Sequence, residues 1–85
     1  MEQIIVERSF DKATEFEALQ ARAQRTSWCL DQHRIRFLRS YLSSDKKRMI
    51  CVYEAPDAES VRIANRQAEL PFDCVWTATL HGANE

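Results

Sequence analysis

The chain has 85 residues, of which 29% are charged, and a formal net charge of −1. That length makes one domain over residues 1–85, and the balanced charge leaves no electrostatic footprint for nucleic acid. The longest apolar run is far below a membrane span. Three cysteines without a CxxC pair, and a single glycine, argue against a disulfide framework and against a phosphate-cradling loop.

Residues 2–8, EQIIVER, alternate as a strand rather than as a secretory leader. The expectation is therefore a reduced, cytoplasmic protein. Thr14 and Glu17 have the spacing of a capping box, with Asp11 as a rival cap. The helix they open runs to about residue 31, with Phe16, Leu19, Ala23, Thr26 and Leu30 on one apolar stripe. Residues 35–43 and 48–55 form two strands around the turn Ser43-Ser-Asp-Lys-Lys47. Pro56-Asp57 starts a second helix, with Asp57 as N-cap. Ala58, Val61, Ala64 or Asn65, and Ala68 make its thin buried stripe. Leu70-Pro71 ends it, and residues 73–81 form the last strand.

The order βαββαβ predicts an α+β ferredoxin-like sandwich: four antiparallel strands with two helices on one face and the other face bare. Alternation sets Ile4, Val6, Leu38, Leu42, Ile50 and Val52 toward the helices. It sets Ile5, Glu7, Phe37, Arg39, Tyr41, Met49, Cys51 and Tyr53 on the open side. In the last strand Cys74, Trp76, Ala78 and Leu80 are expected beneath the helices, with Val75, Thr77, Thr79 and His81 outside. An open face this mixed is too apolar to be bare and too polar to be a dry core. It predicts a homodimer closed sheet to sheet around a mixed cavity.

The stretches Val6-Glu7-Arg8, Phe37-Leu38-Arg39-Ser40-Tyr41, Cys51-Val52-Tyr53-Glu54-Ala55-Pro56-Asp57-Ala58-Glu59 and Leu70-Pro71 resemble a family of small bacterial proteins of uncharacterised function, known as nickel-binding proteins, within the dimeric α/β-barrel group. The resemblance implies a ferredoxin-like subunit, a barrel-type homodimer and, for some members, bound nickel. This chain has Ala64 where a histidine is common in relatives, and Glu69 where they have glycine before Leu-Pro.

The candidate cavity residues are Glu7, Arg39, Tyr41, Cys51 and Tyr53. Glu7 and Arg39 suit an ion pair fixing dimer register or contacts to a polar ligand, with Tyr41 donating a hydrogen bond. Cys51 is a packed residue, or a thiolate if Arg39 activates it. His81 is a solvated strand end or a metal ligand, since imidazole suits nickel. His33 reads as a helix C-terminal residue, Trp28 as partly buried or a contact, and Trp76 as core. With the resemblance, these residues imply a homodimeric binding protein for nickel, another divalent metal or a small ligand, with no nucleic-acid or membrane partner. The alternative is a cofactor-independent monooxygenase- or isomerase-like enzyme, with His81, Glu7 or Cys51 as its base.

Overall fold

The structure, a computed structural model, describes residues 1–25 and 27–82, without the side chains of Phe16, Leu19, Arg22, Ala23, Arg25, Ser27 and Cys29. In chain order the elements are β1 (Glu2–Ser9), α1 (Phe16–Arg25), α2 (Ser27–Gln32), β2 (Arg36–Leu42), β3 (Arg48–Ala55), α3 (Ala58–Gln67) and β4 (Cys74–Ala78). The sheet order is β2-β3-β1-β4, and every neighbouring pair is antiparallel. This is the ferredoxin-like arrangement. The molecule is 19 Å across its shortest axis, about the depth of one sheet and one helix layer.

The first helical region differs from its expectation. Its helix begins at Phe16, after the Thr14 position proposed as cap, and the Thr14 hydroxyl bonds the Lys12 carbonyl at 3.4 Å. The Thr14 amide is taken by the Lys46 carbonyl at 2.9 Å, which ties the loop before α1 to the β2–β3 turn. Thr26 of the predicted stripe lies outside the described residues, as do the side chains of Phe16, Leu19, Ala23 and Cys29. Leu30 packs against the core.

Helix α3 follows its sequence signals closely. The Asp57 carboxylate accepts from the Ser60 amide and hydroxyl, each at 2.7 Å. Val61, Ala64 and Asn65 are buried, so small residues let this helix sit low on the sheet. Its end is a Schellman motif: the Leu70 amide bonds the Asn65 carbonyl and the Glu69 amide bonds that of Arg66. Glu69 takes φ 57°, the left-handed geometry that explains why glycine suits this position. Ala64 is fully buried on the helix side, so its side chain faces away from the open side of the sheet.

The pairing corrects half of the face assignment. In an antiparallel ladder directly paired residues share a face. Ile4 pairs with Tyr53, Val6 with Cys51 and Arg8 with Met49, and all six are buried. Cys51, Tyr53 and Met49 therefore lie beneath the helices, while Ile50 and Val52 are on the open side. The physical cause is the turn. Ser43 and Arg48 close a four-residue loop, with the Ser43 amide on the Arg48 carbonyl at 2.9 Å, and an even loop pairs Tyr41 with Ile50 instead of Cys51. A β-bulge between Phe37 and Arg39 adds a second inversion. Phe37 pairs with Tyr53 and its ring meets the tyrosine edge-on at 5.6 Å, whereas Arg39 pairs with Val52. Leu38 is the extra residue, and Leu42 packs on the core as expected.

Strand β4 is shorter than predicted and inverted. Cys74, Trp76 and Ala78 pair with Glu7, Ile5 and Gln3 on the open side, while Val75 pairs with Val6 beneath the helices. Trp76 is 46% exposed rather than core, and Leu80 lies beyond the strand and is exposed.

Candidate functional site

Three rows of side chains cross the open face, read from β4 through β1 and β3 to β2. The first is Cys74, Glu7, Ile50 and Tyr41; the second is Trp76, Ile5, Val52 and Arg39; the third is Ala78, Gln3, Glu54 and Arg36. Tyr41, Ile50 and Trp76 are exposed. A face with two exposed aromatics and aliphatics at its centre is the kind that protein surfaces cover.

Glu7 organises one end of this face. Its Oε2 accepts from Trp76 Nε1 at 2.8 Å and from Cys74 Sγ at 3.3 Å. The Trp76 bond, and then the Cys74 bond, hold the Glu7 carboxyl below its ordinary range. The same bond raises the Cys74 thiol above its ordinary range, so Cys74 stays protonated. Glu7, Tyr41, Ser43, Arg48, Ile50 and Asp73 line an open depression of about 310 Å³ at this end.

Of the predicted cavity residues, the structure brings Glu7 and Tyr41 into one row and puts Arg39 on the neighbouring row. Cys51 and Tyr53 are on the other side of the sheet. Arg39 and Cys51 point to opposite faces, so the proposed activation of that thiol has no geometric basis. Glu7 bonds Trp76 and Cys74 rather than Arg39. His81 lies past the end of β4, its Nε2 2.9 Å from Thr79 Oγ1. His33 Nε2 meets Gln67 Oε1 at 2.9 Å, linking α2 to α3, and Trp28 is exposed.

Sequence reading missed the principal buried polar cluster. Arg8 is only 6% exposed. Its guanidinium donates to Asn65 Oδ1 at 2.6 Å, to the Pro71 carbonyl at 2.9 Å and to the Tyr53 hydroxyl at 3.3 Å. Asn65 Nδ2 in turn donates to the Val61 carbonyl at 2.8 Å. The signal was parity, since Arg8 shares its strand face with Ile4 and Val6.

Burial, helped by nearby Cys51, pushes the Tyr53 hydroxyl up to about 12, against the pull of Arg8. An unfolded tyrosine ionises near ~10. Between those values the unfolded chain has lost a proton that the native one keeps, so stability falls as pH rises. Tyr53→Phe is expected to flatten this alkaline loss, seen as a smaller drop in urea midpoint between pH 9 and 11.

The fold is a ferredoxin-like α+β sandwich with one bare sheet face, on which a carboxylate is anchored beside an exposed tryptophan. The chain belongs to the family described as nickel responsive protein SCO4226-like, which matches residues 5–77. Its structure is similar to the crystal structure of SCO4226 from Streptomyces coelicolor A3(2). The TM-score is 0.83 at 15% sequence identity, covering 94% of this chain and 99% of that one. At that identity the likeness shows the fold alone. No curated protein matches the chain.

Among the described residues no helix is long and apolar enough to cross a membrane.

Proposed function

We propose that this protein is a homodimeric binding protein that holds nickel or a small ligand against the open sheet face, where a second copy covers it. The observation that carries the reading is the face itself: Trp76, Tyr41 and Ile50 stand exposed around Ile5 and Val52, with the ionised Glu7 among them. The family description supports the link to nickel.

Among the described residues no three His, Cys, Asp or Glu side chains come together as a metal site. An ion bound here draws on donors from both copies. Glu7 is the carboxylate, and Cys74 beside it provides the softer sulfur donor that nickel favours. Loss of the Cys74 proton on binding makes the affinity rise with pH. Arg39 and Tyr41 are the polar contacts for an organic ligand. A catalytic role is less well supported, because the interactions at Glu7 move it away from the near-neutral pKa that a general base needs.

Light scattering is expected to give twice the 9.9 kDa chain mass. Calorimetric titration with nickel is expected to release heat in the parent, and less in Glu7→Gln and Cys74→Ala. A parent that takes up no nickel removes the metal reading. A monomeric parent removes the shared cavity.

A further inference from the structure

We infer that the covering second copy lies with its two-fold axis along the strands, so that Arg39 of each subunit stacks on the partner's Trp76. The inference rests on the homodimer reading above and specifies how the two faces meet.

Closed pairs of identical chains are two-fold symmetric, and sheets packed face to face keep their strands aligned to within about 30°. The axis between the two sheets then runs either across the strands or along them. The middle row, Trp76-Ile5-Val52-Arg39, decides between these. It contains the two central aliphatics and ends in an aromatic on one side and a cation on the other.

With the axis across the strands, the middle row falls on its own twin. Arg39 would then meet the partner's Arg39, and like charges placed opposite one another oppose association. With the axis along the strands, the row is reversed. Val52 then covers the partner's Ile5, and Arg39 covers the partner's Trp76. Each end of the row satisfies the other, and the apolar centre closes on itself.

Both ends are prepared for this contact. Trp76 is 46% exposed, and its Nε1 is held by Glu7 at 2.8 Å. That bond fixes the indole, the best aromatic face for a guanidinium. The Glu7 carboxylate at the ring edge adds a negative charge within reach of the same cation. Arg39 is exposed and forms none of the ion pairs seen among the described residues. The site at Glu7 is thus completed by a side chain from the second copy.

A double-mutant cycle on the dimer dissociation constant, measured by sedimentation, tests the contact. Arg39→Ala and Trp76→Ala are each expected to raise the constant about tenfold, since each dimer holds two such contacts. The double variant should be no weaker than the weaker single variant, and Arg39→Lys should retain most of the affinity. Independent, multiplying effects would overturn the arrangement. So would tighter association of Arg39→Ala, the result expected from relieving twin guanidinium groups. A parent that sediments as a monomer would remove the homodimer reading itself. A dimeric parent with no coupling would remove only this orientation.

Discussion

Arg8→Met should lower the unfolding free energy by about 3–5 kcal/mol, the largest loss expected from any single side chain outside the aliphatic core. The methionine keeps much of the arginine stem's volume, so the loss is not chiefly one of packing. What disappears is the common donor for Asn65 Oδ1, Tyr53 OH and the Pro71 carbonyl. The Asn65 and Tyr53 oxygens each become short of a partner in a buried site, at about 1–3 kcal/mol apiece before relaxation, while the carbonyl of exposed Pro71 can turn to water. The gain from no longer burying a guanidinium offsets part of this. For a domain of this size such a loss shifts the thermal midpoint by roughly 15–30 °C.

Arg8→Lys should recover only part of the stability, because one ammonium on a flexible stem does not reproduce the planar fork that reaches three acceptors. Urea denaturation of the parent and both variants measures this. An Arg8→Met protein within about 1 kcal/mol of the parent would show that apolar packing replaces the cluster without loss, as it does for some buried ionic networks.

The same arginine shows where sequence patterning succeeds and fails in this chain. The element order was readable because each helix and strand has its own local chemistry. Asp57 caps α3, Leu70-Pro71 follows its end, and Arg48–Ala55 is a strand with its predicted bounds. The even-numbered face of β1 was equally clear, and it placed Glu7 on the open side. Arg8 shares the inward parity of Ile4 and Val6, but charge argues for the outside so strongly that composition overrides parity. Only the acceptors contributed by β3, α3 and the loop at Pro71 make its burial tolerable, and they are distant in sequence.

The hairpin and β4 failed for a different reason. Both sheet faces carry apolar side chains, so alternation reveals two sets without saying which set is inside. That choice in β2 and β3 depends on loop parity and on the bulge at Leu38, neither of which has a composition signature in this chain. In β4, Cys74, Trp76 and Ala78 form the more hydrophobic set. They lie outside because β4 pairs with β1 in the register that sets Trp76 opposite Ile5, on the face away from Val6.

Ile4→Asp and Ile5→Asp should therefore have opposite outcomes, although the residues are identical neighbours on one strand. Ile4 is fully buried, paired with Tyr53 and Thr77, with the helices above it. The buried cation on that face, Arg8, is already committed to Asn65, Pro71 and Tyr53, so a carboxylate there either stays charged at prohibitive cost or takes up a proton at several kcal/mol. That is comparable to the whole stability of a domain this small, which is about 0.05–0.15 kcal/mol per residue. Ile4→Asp should be unfolded at room temperature, with the far-ultraviolet signature of an unordered chain.

Ile5 points the other way, between Trp76 and Val52. In an isolated subunit it is half-buried, and aspartate there keeps access to water. Ile5→Asp should stay folded, with a stability loss of about 1–2 kcal/mol. In the proposed dimer, however, it would bury two carboxylates against each other's apolar centre. The expected product is a folded monomer, identified by parent-like circular dichroism together with a sedimenting mass of one chain. If Ile5→Asp unfolds as Ile4→Asp does, the open face is part of the subunit core. If it remains as dimeric as the parent, the second copy does not sit on this sheet.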